Sequence, residues 1–427
     1  MISLLNQLPI PLPAASIWLI SAATVGCVLG RPRDLPEAVW AALGAVLLVG
    51  CGLLPWREAL GAVARGTDVY LFLTGMMLLS ELARREGVFD WCAALAVGAA
   101  RRSPVRLFWL IYAVGVVVTV FLSNDATAVV MTPAVFAATK AAKVEKPLPY
   151  LFACAMVANA ASFVLPISNP ANLVVFGGHM PPLAEWLRRF ALPSVLAIAA
   201  TGLALFLVTR KALRGEVGAP TRPATLSASG RLALGGIALA AVALLAASAL
   251  RVDLGGPTLG AAAAALGLVM LRDPKALWQT PRKVSWSVLP LVAGLFVVVE
   301  GLNHAGALRA GQEALQALAR LPVWAANLAG AFGITAISNV INNLPAGLIT
   351  GTAVHRLPVA DSLRNALLIG VDLGPNLSVT GSLATVLWLI VLRREGQQVS
   401  AWSFLKVGVI VAPIALVLAV LASTWRW

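Results

Sequence analysis

Charge is scarce in this chain: Asp, Glu, Lys and Arg together make up 12% of its 427 residues. A soluble chain carries about 25%, so an ordinary water-facing surface is excluded. Hydrophobic residues reach 59%, more apolar material than a core can hold, and the excess implies lipid-facing surface. Cysteine is nearly absent. Cys27, Cys51, Cys92 and Cys154 form no Cys-x-x-Cys pair, which argues against a disulfide framework or structural zinc site and reads them as small core residues. No Gly-x4-Gly-Lys-Ser/Thr loop occurs, so the chain does not itself hydrolyse nucleotides. No His-Glu-x-x-His or Gly-x-Ser-x-Gly signature occurs either, so no enzyme and no cofactor are expected. No lysine or arginine precedes Arg31. The charged start of a signal peptide is therefore lacking, and the first apolar run, residues 15–30, is expected to stay in the mature protein.

What is present is length without charge. A membrane-spanning helix needs about 20 apolar residues. Residues 190–209, 232–250, 254–271, 373–392 and 407–425 supply uncharged runs of that kind. Residues 147–184 and 321–354 are uncharged for far longer than one crossing and must fold back or break. About ten to twelve spanning or half-spanning segments are expected, which makes this a multi-pass protein of the inner membrane. The net charge of +14 comes from basic residues in loops, such as Arg101, Arg102, Arg210, Lys211, Arg282 and Lys283. In that setting it points to anionic headgroups rather than nucleic acid.

The chain repeats itself. Gly75, Glu81 and Gly87 form Gly-x5-Glu-x5-Gly, and Gly294, Glu300 and Gly306 form it again 219 residues later (294−75, 300−81, 306−87). The same offset carries Asn124 onto Asn343. A third match sets Asn169-Pro170-Ala171-Asn172-Leu173 against Gly374-Pro375-Asn376-Leu377 at an offset of 204 (376−172). A polar stretch over residues 211–230, with Pro220, Arg222 and Pro223, separates the copies. The expected organisation is a first membrane repeat over residues 1–210, a linker over 211–230 and a second repeat over 231–427. An odd number of crossings per copy would invert the second.

Two pairs of interruptions fall at corresponding places in the copies. The first lies at Ser123-Asn124-Asp125-Ala126-Thr127 and at residues 338–345, which include Asn342 and Asn343. The second lies at Pro166–Asn172 and Asp372–Asn376, where proline denies the helix a donor. Unwound backbone is tolerated at membrane depth only inside protein or beside water, so paired interruptions point to a transport site; plain turns outside the membrane are the competing reading. Helix N-termini at the breaks would offer unpaired amides. The candidate solute-binding side chains are Asn124, Thr127, Ser168, Asn169, Asn172, Asn342, Asn343, Asn376, Ser378 and Thr380. Asp125, Glu81, Glu300 and Asp372 lie in or beside apolar runs and are candidate proton carriers. Glu81 and Glu300 could equally cap a helix or pair with arginine. His179, His304 and His355 read as interfacial. Trp186 beside Arg188 and Arg189, and Trp402 beside Lys406, read as interfacial anchors.

At these residues the chain resembles the arsenite efflux permease (ArsB) family of the ion transporter superfamily. The resemblance rests on Phe121-Leu-Ser-Asn-Asp-Ala-Thr-Ala128, Ser168-Asn-Pro-Ala-Asn-Leu173, Asn342-Asn-Leu-Pro-Ala346 and Gly374-Pro-Asn-Leu-Ser-Val-Thr-Gly381. It implies an all-α polytopic fold of two inverted repeats, each with a re-entrant hairpin and a discontinuous helix. It also implies efflux of arsenite or antimonite in exchange for protons, alone or with a separate ATPase subunit. Arsenite at neutral pH is an uncharged trihydroxide, and asparagine and hydroxyl side chains match it by both donating and accepting. A sodium/proton antiporter of the NhaD type, using Asp125 and unwound carbonyls, is the alternative.

Overall fold

The computed structural model of the chain describes residues 12–177, 180–218, 225–356 and 359–425. His179 and the linker residues Pro220, Arg222 and Pro223 lie outside the described residues. Among the described residues every regular element is helical. The first half contains α1 (Leu12–Gly30), α2 (Glu37–Gly50), α3 (Trp56–Arg65), α4 (Thr67–Arg85), α5 (Val88–Ala99), α6 (Pro104–Phe121), α7 (Thr132–Ala141), α8 (Leu148–Ala160), α9 (Pro170–Phe176) and α10 (Leu183–Thr209). The second contains α11 (Ala228–Ala249), α12 (Gly255–Met270), α13 (Ala276–Lys283), α14 (Val288–His304), α15 (Ala307–Ala319), α16 (Val323–Ile341), α17 (Asn343–Arg356), α18 (Asp361–Leu373), α19 (Leu383–Arg394) and α20 (Ala401–Thr424).

Six helices, α1, α6, α10, α11, α16 and α20, are long and apolar enough to cross a bilayer. Two bent pairs, α3–α4 at 47° and α13–α14 at 42°, qualify as broken spans. Shorter apolar helices complete the set. Full crossings are fewer than the run lengths suggest because residues 147–184 are divided between short helices and a break, and residues 321–354 hold one crossing, α16, followed by a break at Asn342. Apolar side chains such as Val195 and Ile414 remain exposed on the outer faces, as lipid contact requires. Local signals start several helices: Ser103 Oγ accepts from Arg106 N ahead of Pro104, and Ser227 and Ser400 cap α11 and α20, each cap contributing about 1 kcal/mol.

The repeated motif has a physical reason at each position. α4 packs along α12, and α14 packs along α2, so each motif helix finds its partner in the other half. A Cβ on Gly75 would stand 2.7 Å from the Thr258 carbonyl oxygen, and one on Gly294 would stand 2.7 Å from that of Ala41. The first glycine therefore permits backbone contact. The last glycine takes a left-handed conformation, φ 73° at Gly87 and 91° at Gly306, and turns the chain into α5 and α15.

α10 and α20 pack against each other and join the halves. Here one expectation is corrected. Trp186 is fully buried rather than interfacial, because its indole N–H is needed inside, where Nε1 donates to the Phe163 carbonyl at 3.2 Å. Trp402 is exposed, with the Lys406 ammonium 5.6 Å above its ring.

Candidate functional site

The first interruption is built alike in both halves. Ser123 (φ 145°) and Asn342 (φ 77°) are non-glycine residues with positive φ, 219 positions apart (342−123). Each ends a long helix and starts the returning one. The Ser123 carbonyl accepts from Thr127 N at 3.4 Å, and that of Asn342 accepts from Ala346 N at 3.2 Å. Their side chains cap the new helix too: Ser123 Oγ accepts from Ala126 N at 3.3 Å, and Asn342 Oδ1 accepts from Leu344 N at 3.3 Å. After Asp125 the first half runs through one wide helical turn, Ala126–Met131, before α7. Strain of this kind, held by the surrounding packing, is characteristic of working sites. Thr127 Oγ1 lies 2.8 Å from Thr119 Oγ1 and ties the two arms of the hairpin.

The second interruption matches at a spacing the proline motifs do not suggest. α8 and α18 are each 13 residues long and start 213 apart (361−148). The single helical turns Pro166–Ser168 and Val379–Gly381 are 213 apart, and so are the starts of α9 and α19. Asn169 caps α9 and Ser382 caps α19, again at 213. Asn172 and Asn376 are therefore not equivalent. Asn172 sits in the first turn of α9, whereas Asn376 sits in the turn that follows α18. The residue equivalent to Asp372 is Asn159 (372−159 = 213).

Hydrogen bonds cross between the two breaks. Asn169 Nδ2 donates to Asp372 Oδ1 at 2.8 Å. Asn159 Nδ2 donates to Asn376 Oδ1 at 3.0 Å, and Asn376 Nδ2 donates to the Met156 carbonyl at 3.0 Å. All four of these side chains are buried. Asn172 Nδ2 faces three unwound carbonyls, those of Ser162, Leu165 and Pro166, at 3.0 to 3.3 Å, supplying the donors that broken backbone lacks in a membrane. Ser168 Oγ donates to the Val120 carbonyl at 3.0 Å, linking the second break to the end of α6. In the second half Asn339 does related work. Its Nδ2 donates to the Thr335 and Gly374 carbonyls, while Ser378 Oγ and Thr380 Oγ1 donate to its two oxygens at 2.6 and 2.7 Å. Three acceptors in this core, Asn159 Oδ1, Asn172 Oδ1 and Asp372 Oδ2, are buried without a hydrogen-bond partner.

Two open clefts flank this core. Glu81, Ser123, Asp125 and Pro170 line the first, together with Val288 and Leu387 from the second half. Glu300, Leu348, Thr352 and His355 line the second, together with Val69 and Val174 from the first half. The walls correspond with the halves exchanged. Glu81 answers to Glu300 and Val288 to Val69 at 219, and Leu387 to Val174 at 213. Both glutamates are held by arginine: Arg84 binds Glu81 through two nitrogens at 2.5 and 2.7 Å, and Arg65 binds Glu300 at 2.6 Å. Asp125 faces the first cleft half-buried, and its counterpart at 219 is Leu344.

The structure thus gathers Asn169, Asp372 and Asn376 at the crossing, holds Asn172 on the carbonyls of the first half's break, and places Glu81 and Asp125 on the first cleft. Thr127, Ser168, Ser378 and Thr380 hold the breaks together around it. Asn124 and Asn343 are buried at the starts of the returning helices, where Asn124 Oδ1 accepts from Asp125 N at 2.9 Å. Glu300 stands apart on the second cleft. Asn159, Asn339 and His355 are absent from the sequence-derived set. The signal that would have found Asn159 is its 213-residue offset from Asp372.

A family model described as CitMHS, citrate transporter, matches residues 17–370. The chain belongs to the CitMHS family. Among other proteins similar to this CitMHS member is the arsenical pump membrane protein of Escherichia coli K12, 28% identical over 94% of this chain and 97% of that one. The arsenical pump membrane protein of Yersinia enterocolitica is 29% identical over 96% and 98%. An uncharacterized transporter of Mycobacterium tuberculosis is 27% identical over 95% and 97%. The crystal structure of the YdaH transporter of Alcanivorax borkumensis shares the fold, with a TM-score of 0.52 at 14% identity over 88% of this chain and 90% of that one. This CitMHS protein is a multi-pass membrane transporter.

Proposed function

We propose that the protein is a secondary transporter that expels arsenite and antimonite across the inner membrane in exchange for protons. The observation that carries this reading is the buried crossing between two exchanged clefts, with three oxygen acceptors left unpartnered. An uncharged trihydroxide supplies O–H donors to such acceptors, and a proton on a carboxyl supplies one too. Ionisable residues inside membrane segments commonly mark proton relays. Asp125 on the first cleft and Asp372 at the crossing are the proton carriers in this scheme, with Glu81 and Glu300 in reserve behind their arginines. The names of the arsenical pump relatives support the substrate.

The first cleft suits a neutral solute better than a polycarboxylate. Its charges are matched: Glu81 binds Arg84, and Asp125 and the Lys283 ammonium, one of each sign, are the other charged residues on its wall. A triply charged anion would find no surplus positive charge there to offset its desolvation, which costs affinity. Everted vesicles holding a proton gradient test the assignment. Accumulation of arsenite is expected. Dissipation of the gradient by sodium, with no arsenite taken up, would replace it with the sodium/proton antiporter.

A further inference from the structure

His355 lies near the end of α17, on the wall of the second cleft. Its Nδ1 stands 2.7 Å from the Gly351 carbonyl oxygen and its Nε2 stands 2.7 Å from that of Phe176. Carbonyl oxygens only accept, so each contact needs an N–H on the ring, and only the imidazolium carries both. The Phe176 oxygen is at the last residue of α9, and the Gly351 oxygen lies five residues before the end of α17. The C-terminal end of α9 carries partial negative charge and favours a cation. Backbone contact makes the meeting possible. A Cβ on Gly351 would lie 2.6 Å from the Val174 carbonyl oxygen, and one on Gly347 would lie 3.3 Å from the Val175 side chain.

We propose that His355 is a positioning residue for transport: as an imidazolium it clasps α9 of the first half to α17 of the second, and loss of its proton opens that clasp. A neutral ring turns one lone pair toward a carbonyl oxygen, and one of the two contacts then becomes repulsive. The ring is exposed on the cleft, so protons reach it from water. Charged neighbours on the surrounding elements are themselves matched. Arg65 holds Glu300 across the cleft, with His304 and Glu58 paired beyond it. Arg309 pairs with Glu313 on α15. On α18, Arg364 donates to the Val354 carbonyl at 3.4 Å and pairs with Asp361, which also takes Arg189. α9 and α16 carry no ionisable side chain. The role in transport rests on the proton-coupled reading above; the clasp itself does not.

The test uses the full chain in lipid nanodiscs, free of native cysteines, with Thr352→Cys as reporter on the cleft wall. Labelling by a water-soluble maleimide is followed from acid to alkaline pH and normalised to the unfolded protein at each pH. Release of a charge-assisted contact predicts that labelling rises about tenfold once the ring has lost its proton. His355→Gln keeps one donor group and should label fast throughout. His355→Arg keeps the charge and several donors and should label slowly throughout. The same pH profile in all three proteins overturns the clasp. Nitrogen-15 histidine spectra of the parent give a readout that needs no variant: both His355 ring nitrogens should be protonated in the slow-labelling state, and a neutral ring there also overturns it. Arsenite exchange in vesicles made from the same protein separates the two ideas. A pH-switched reporter without arsenite movement rejects the substrate and keeps the clasp; arsenite movement with an unswitched reporter does the reverse.

Discussion

Asn159 and Asp372 are each the twelfth residue of a 13-residue helix, α8 and α18, and each meets an asparagine across the crossing. The two halves thus present an amide and a carboxyl at one structural position. Only the second can take up and release a proton. The equivalence makes the asymmetry of the core a matter of one functional group.

That difference is testable beside Asp125. Asp372→Asn gives both halves an amide and should leave a folded protein whose arsenite efflux no longer varies with pH. Asp125→Asn should do the same if the cleft carboxyl is on the proton path. A pH–rate profile in vesicles decides for each residue separately, since an unchanged profile removes that residue from the path.

Asn169 has two structural jobs, donating to Asp372 and accepting from Ala171 N as the cap of α9. Asn169→Ala removes both and should lower stability by about 2–4 kcal/mol, a cap plus a buried hydrogen bond to an acid. Thermal unfolding in detergent measures it. A melting temperature equal to the parent's would show that the crossing does not hold the halves together.

Gly75→Val and Gly294→Val press a side chain into the facing backbone at the α4–α12 and α14–α2 contacts. Each should cost about 1–3 kcal/mol by overpacking. Similar losses at the two sites are expected, because the two contacts are equally close. The same thermal assay reads both.

Outside the membrane segments, Arg85 binds Asp273 in the turn after α12. That hydrogen bond is the main cause holding the Asp273 carboxyl below its ordinary 3.8. A depressed folded-state value means the pair favours the native state above the ordinary carboxylate range and loses that effect as the pH falls through it. The expected result is that Asp273→Asn flattens the acid limb of the stability curve, measured as melting temperature against pH, without altering the curve near neutrality.

All four cysteines are free thiols, and Cys154 is buried with its Sγ against the Tyr150 carbonyl. None lines either cleft. Replacing all four by serine or alanine should leave arsenite efflux within about twofold of the parent, since substitutions away from a site usually act through stability alone. Loss of efflux in a well-folded cysteine-free protein would mean that thiols, not hydroxyl-type contacts, capture the solute.

The helical membrane class was legible because charge scarcity and run length are properties of the chain itself. The Gly-x5-Glu-x5-Gly motif was legible because each residue answers a backbone or cleft requirement that recurs in both halves. The second break was misregistered because proline and asparagine were matched as letters. The two copies interrupt the helix by different means, Pro166 and Pro170 in one and Pro375 in the other, and only helix lengths reveal the common phase. Asn159 sits in an otherwise apolar helix, so no polar pattern marks it. Trp186 lies beside arginines, as an interfacial tryptophan would, yet an unwound carbonyl draws its N–H inward. His355 was legible only as an interfacial residue, since nothing in its spacing tells that two carbonyls from distant segments converge on one ring.

The exchanged walls of the clefts bear on how the molecule can be taken apart. Each cleft is lined by helices on both sides of the chain's midpoint, so neither half retains a complete cleft when separated. Cutting the chain between α10 and α11 would leave two pieces that must meet again before either vestibule exists.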